Sequence, residues 1–180
     1  MRIRTVKFNF IMNAILTVSS ILFPLITFPY ISRVLLVEGS GKVAFATSVV
    51  SYFTMFATLG IPTYGIRECA RVRDNKEELS RTVQELLIIS GITTAITYGV
   101  FFLLLFVVPQ FRGQKELLIV IGASIGLTTI GVQWFYSALE QYSYITVCAV
   151  LFKIIGLILM FLLVKKPEDY VIYGAVYVIG

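Results

Sequence analysis

The chemistry open to this 180-residue chain rests on a few charged groups set among long apolar runs. Lys153 is the sharpest of them, near the middle of the apolar stretch 145–164, where an ammonium in a bilayer costs about 2.5–3.5 kcal/mol on insertion scales. Thr146, Ala149 and Gly156 share its helical face, while Leu151, Ile155, Ile158 and Leu162 take the opposite one. The lysine is therefore expected to point into a helix bundle and not into lipid. Intramembrane charge marks a substrate or ion path; pairing with a carbonyl or carboxylate for structure alone is the other reading. Arg33 and Arg67 stand at opposite membrane ends of the first two apolar stretches, as snorkelling residues or as ligands. With Lys153 they make the embedded charge positive, which suits an anionic solute such as a phosphate or pyrophosphate head group. Glu85 and Glu140 are the nearest acids, both towards the cytoplasmic edge.

Several chemistries are absent. The chain has no His, which removes His-based acid–base catalysis and His metal ligation. Cys69 and Cys148 are far apart and read as free thiols. No G-x-x-x-x-G-K-[ST] occurs, so there is no P-loop. Gly39-x-Gly41 is too short to mean more than a turn. No catalytic residue, metal or cofactor is assigned, and no basic run is interleaved with exposed aromatics as in a nucleic-acid surface.

The elements that must hold these charges are membrane helices. Hydrophobic residues make up 58% of the chain and charged residues 14%, with a mean hydropathy of +0.89. A soluble domain is nearer half apolar and a quarter charged. Read in units of about 20 residues, the chain is an all-α integral membrane protein with five complete spans, at roughly 8–31, 43–66, 83–108, 117–139 and 145–164. A sixth begins at 170 and reaches residue 180 after eleven residues, so a continuation is expected. The segment 60–81 orients the rest. Arg67, Arg71, Arg73, Lys76 and Arg81 lie there between two spans, a basic island of cytoplasmic type. Together with Arg2, Arg4 and Lys7 it places eight basic residues inside against six outside. The N-terminus is thus expected in the cytoplasm.

Local signals fill in the helices. Asn9, Asn13, Thr17, Ser20, Pro24 and Thr27 recur at three- and four-residue spacing, and so do Thr47, Ser51, Thr54 and Thr58. Ser and Thr stripes are ordinary membrane packing, although two on successive helices favour a hydrated cleft. A loop is expected over 33–42, turned by Gly39 and Gly41, and a kink at Gly60 and Pro62. Asp74 is expected to cap the third helix with Glu77 completing a capping box, followed by i,i+4 pairs of Arg81 with Glu77 and Glu85. Pro109 should end that helix, with 109–116 an outer loop. The fourth span carries Ser124, Thr128 and Gly131 on one face, and Trp134, Tyr136, Tyr142 and Tyr144 read as an interfacial aromatic belt.

The runs FPYISRVLLVEGSGKVAFATSVVSYF, GIPTYGIRECARVRDNKEELSRTVQE and WFYSALEQYSYIT, with the stretch from LFKIIGLILM to residue 180, resemble the N-terminal part of Wzx-type polysaccharide (O-antigen) flippases. These are polysaccharide biosynthesis membrane proteins of the superfamily that also holds MATE-type multidrug antiporters and lipid II flippases. The resemblance covers essentially the whole chain. It departs at the first outer loop, where the family reads close to L-G-P-E-G-x-G and this chain has Leu36 and Val37 in place of Gly and Pro.

That resemblance implies most of one lobe of a MATE-like two-lobe transporter. The implied activity moves undecaprenyl-pyrophosphate-linked oligosaccharide across the cytoplasmic membrane of a bacterium or archaeon, by rocking of the lobes. Lys153, Arg33 and Arg67 become candidate substrate contacts, and Glu140, Glu85 and Arg71, with Arg67, candidates for the cytoplasmic gate. Implied partners are the lipid-linked oligosaccharide, membrane lipids, a polysaccharide polymerase, a chain-length regulator and a coupling proton or sodium ion, with no nucleic acid. Three rivals remain. A multidrug or cation antiporter of the same superfamily would want a deep acidic site, and none is visible here. A membrane-embedded glycan polymerase or acyltransferase would need convergent acid–base or nucleophilic groups. A transport-incompetent subunit is the third.

Overall fold

The computed structural model describes residues 6–179. Arg2 and Arg4 of the charge count, and Gly180, lie outside the described residues. The described residues form nine α-helices and one short 3-10 turn, with no strand. Five helical segments are long and apolar enough to cross a membrane, so this is an all-α, multi-pass membrane protein.

Helix α1 (Val6–Val34) runs straight into α2 (Leu36–Thr58). The expected loop over 33–42 is absent. The turn is made by Leu35, which is fully buried, and Leu36, whose φ of 57° is left-handed. This is the position where the resembled family places Gly, the residue that takes such a φ without steric cost. Gly39 lies inside α2 and serves close packing: a Cβ there would meet Leu35 at 3.0 Å and the Pro167 carbonyl at 3.3 Å.

The second span is broken as expected at Gly60 (φ 73°), joined by Leu59 (φ 41°), and continues as α3 (Ile61–Arg71). Helix α4 (Lys76–Val107) is capped by Asn75 and not by Asp74. The extended backbone falls at Asn75, whose side chain accepts from the N–H groups of Glu77 (3.1 Å) and Glu78 (3.4 Å). A side-chain oxygen must sit at that residue to reach those two donors. Pro109 opens a single helical turn, α5 (Pro109–Arg112), within the stretch 109–116 expected to be a loop. Arg112 folds back to donate twice to the Phe106 carbonyl, at 3.0 and 2.7 Å, and so caps the end of α4.

The fourth span is two helices, α6 (Lys115–Ile130) and α7 (Gln133–Ala138), and not one over 117–139. The ladder fails at Gly131, whose ψ is 87°, and the Gln133 N–H turns to the Gly131 carbonyl at 2.7 Å. Helix α8 (Tyr142–Leu163) follows, then a 3-10 turn (Pro167–Asp169) and α9 (Tyr170–Ile179). Asp169 accepts from the backbone N–H groups of Lys165 (2.9 Å) and Lys166 (2.8 Å). These donors hold its carboxyl below the usual aspartate range.

The main core lies among α2, α4, α6 and α9, around Val50, Phe101, Leu117, Leu118, Ile121 and Ile125. Glycines permit its density: a Cβ on Gly122 would be 2.8 Å from the Phe101 ring, and one on Gly174 2.7 Å from Leu117. Small residues that admit large neighbours are how membrane helices gain van der Waals contact without a hydrophobic drive. A second, separate cluster joins Ile61, Cys69, Leu86, Trp134 and Ala138. Trp134 therefore does not belong to an interfacial belt. It is buried against Gly65, where a Cβ would stand 2.6 Å from its ring. Tyr136 and Tyr144 do stack on each other, with centroids 4.5 Å apart.

Candidate functional site

Lys153 is placed by α8 against α1. Thr146 and Gly156 of its face are buried and Ala149 is half-buried, while Leu151, Ile155, Ile158 and Leu162 are exposed. Its ammonium donates to Ser20 Oγ at 2.7 Å and to Ser19 Oγ at 3.2 Å. Both serines donate their own protons to the Leu16 carbonyl, at 2.9 and 2.7 Å, which leaves their lone pairs for the lysine. An ammonium has three protons to give, and these contacts use two. No carboxylate pairs with Lys153 among the described residues. Two neutral hydroxyls orient the charge without cancelling it. An isolated charge in apolar surroundings is costly, so an anion arriving there gains more than it would at an exposed pair.

An apolar groove also lies between α1 and α8, on a side of α8 that Lys153 does not line. The groove holds about 590 Å³ and is walled by Met12, Ile15, Val147, Val150, Leu151 and Ile154. Nearly all of its wall is apolar.

The remaining expected site residues do not gather around Lys153. Arg33 is exposed at the far end of α1, and no partner is seen among the described residues. It lies thirteen positions beyond Ser20, which is about 20 Å of helix. Arg67 is exposed on α3, likewise without a partner among the described residues, and Arg71 pairs with Glu68 at 2.8 Å. Glu85 pairs with Arg81 at 3.0 Å on an exposed helix face, and the companion pair of Arg81 with Glu77 is absent among the described residues. Glu140 meets Arg73 at 3.3 Å, joining the turn after α3 to the turn after α7. Glu140 also opens, with Asn9, Phe10, Asn13 and Tyr142, onto a hollow of about 310 Å³ at the start of α1.

Two participants were not singled out from sequence. Ser19 lies off the periodic stripe that drew attention to Ser20, and Arg73 was one charge among five in its island. Lys153 gave a signal for Ser19 only in the general sense that an ammonium within a membrane span needs acceptors. The stripes themselves are largely self-satisfied. Thr17 donates to Asn13 at 2.9 Å, Thr47 to Val43 at 2.8 Å, Thr54 to Val50 at 3.0 Å and Thr58 to Thr54 at 3.0 Å, all carbonyls of their own helices. On α1, Asn13, Thr17, Ser20 and Pro24 are exposed and not packed.

Comparison with known proteins agrees with this architecture. The chain is 23% identical over 166 residues to a protein of Escherichia coli (strain K12) named "Putative O-antigen transporter". It is 26% identical over 167 residues to a protein of the same name from Shigella dysenteriae. Each match covers 92% of this chain but only 40% and 41% of the two relatives, so the chain spans well under half of their length. No solved structure matches it significantly. The profile of one family, described as polysaccharide biosynthesis protein, matches residues 6–180. On that match, across nearly every residue, this multi-pass chain of α-helices belongs to the polysaccharide biosynthesis protein family.

Proposed function

We propose that the protein translocates undecaprenyl-pyrophosphate-linked oligosaccharide units across the cytoplasmic membrane for surface polysaccharide synthesis, with this chain supplying most of one lobe of a two-lobe flippase. The observation that carries this reading is the ammonium of Lys153, oriented by Ser19 and Ser20 at mid-span with no carboxylate on it among the described residues. A pyrophosphate is the anion such a group would hold. The relatives' printed name supports transport over catalysis. The chain also offers no convergent acid–base or nucleophilic set among its described residues.

On this reading the N-terminus and the Arg67-bearing end face the cytoplasm. Arg33 and Arg67 meet substrate at the two ends of the path, and Glu140, Glu85 and Arg71 line the cytoplasmic entrance. A proton or sodium ion supplies the drive, and the polymerase and chain-length regulator receive the product.

The test is Lys153→Ala in the complete protein, with lipid extracts read by mass spectrometry alongside surface glycan. With expression intact, the expected result is lost surface glycan and accumulated lipid-linked oligosaccharide. Unchanged export removes Lys153 from the path. In cells lacking the gene, surface loss with finished repeat units already at the outer leaflet would point to a polymerase. Normal lipids with altered sensitivity to cationic drugs would point to an antiporter.

A further inference from the structure

Two packed helices are interrupted between the same pair of contacts. Helix α2 packs along α6, and α3, the continuation of α2, packs along α7, the continuation of α6. The breaks at 59–60 and 131–132 both fall between these two contacts. The apolar side chains divide in a similar way: one cluster includes α2 and α6, and a separate one joins α3 and α7 to Leu86 of α4.

We propose that α3 and α7 form one rigid piece that swings on the end of the α2–α6 pair, about paired hinges at 59–60 and 131–132. Four observations support it. First, the piece is internally tight: Trp134 sits on Gly65 with no room for a Cβ, and Arg73 is paired with Glu140 at its far end. Second, the hinge backbone is of a kind that moves. Leu59 and Gly60 are consecutive left-handed residues, and a non-glycine held at φ 41° gives up little by leaving that conformation. Third, there is space. Gly131 lines two open hollows, one of about 240 Å³ shared with Pro62, Ile66, Thr128 and Trp134 and one of about 420 Å³ shared with Val132, Tyr136, Tyr144 and Cys148. Fourth, the surface beneath is smooth. Leu86 of α4 belongs to the second cluster and Leu79 and Val83 pack on it, but these contacts are apolar, and no side chain of α4 hydrogen-bonds to α3 or α7 among the described residues.

A swing of this kind moves Arg67, Arg71 and Glu140 together relative to Lys153. Helix α3 is an arm of about 16 Å, so a rotation of about 20° displaces its far end by about 5 Å. The motion lies within one group of helices and does not depend on what the protein carries, so its failure leaves the substrate reading standing.

The test is distance measurement between paired spin labels in the complete protein in lipid vesicles. Cys148 is replaced by Ala and the buried Cys69 kept, after confirming that it takes no label. Ala70 on α3 with Ala123 on α6 spans the hinges; Ala70 with Gln133 lies within the swinging piece; Ala44 with Ala123 lies within the α2–α6 pair. The spanning pair is expected to show two populations about 5 Å apart, while the other two pairs each give one narrow distribution. Equal, narrow distributions for all three pairs would overturn the proposal. So would an Ala70 and Gln133 pair as broad as the spanning one, because α3 and α7 would then flex separately.

Discussion

Helices α6 and α1 are both long and apolar, and they are used in opposite ways. About a third (33%) of the most apolar window of the span formed by α6 with α7 is buried, against 6% for that of α1. Helix α6 is enclosed by α2, α4 and α9, whereas α1 rests on α8 and more lightly on α2. Their polar groups follow suit. On α6 these groups tie helix to helix: the Tyr98 hydroxyl donates to the Gly122 carbonyl at 3.0 Å and accepts from the Gly126 N–H at 2.9 Å, and Thr94 meets Thr129 at 2.8 Å. On α1 most hydroxyls bond their own helix, and the unusual contact is with a charge, Lys153. Polar atoms on α6 are consumed by packing. Those on α1 are not, and that freedom is why the functional reading rests on the α1–α8 seam.

The largest effect expected from this contrast comes from filling a glycine. Gly122→Val would drive a branched side chain into the Phe101 ring, and overpacking of this kind costs about 1–3 kcal/mol or more. Ala14→Val, on the exposed side of α1, should cost nothing measurable. Thermal unfolding of the two variants in detergent checks the pair. Equal stability would mean that α6 is not the packing centre.

The same contrast explains what the sequence could and could not disclose. Spans are legible because each is a long apolar run, and Lys153 is legible because charge is rare inside one. The break at Gly60 could be read from Gly and Pro together. The break at Gly131 could not, because glycine is common in membrane helices and here also suits packing. Trp134 read as interfacial because its partner, Gly65, is 69 positions away and carries no side chain to announce it. The loop expected over 33–42 failed for a related reason: Gly39 was read as a turn residue, yet its use is contact with the segment around Pro167.

A smaller effect is expected at the junction between the two regions. Leu36 holds a left-handed φ of 57° and exposes most of its side chain. Such a conformation costs an L-residue about 1–2 kcal/mol. Leu36→Gly should therefore raise unfolding stability by about 1 kcal/mol, less the entropy that glycine adds to the unfolded chain. A loss of stability would show that the Leu36 side chain holds α1 on α2.

The smallest effects separate packing from positioning. Thr94→Val removes the hydroxyl contact with Thr129, which still donates to the Ile125 carbonyl at 3.0 Å, so no buried donor is orphaned. Thr146→Val removes the donation to the Met12 carbonyl at 3.0 Å. Each should cost about 0.6 kcal/mol, the average for a hydrogen bond between membrane helices. Their consequences should differ. Helix α6 has several other supports around Thr129, while Thr146, Lys153 and Tyr30 carry hydrogen bonds along the α1–α8 seam. Loosening Thr146 shifts the serines against the ammonium, so Thr146→Val is expected to slow export severalfold, and Thr94→Val to leave it alone. In a double-mutant cycle, Thr146→Val should add little on top of Lys153→Ala, because both act through one contact. Independent, additive losses would mean that α1 contributes to export somewhere other than at Ser19 and Ser20.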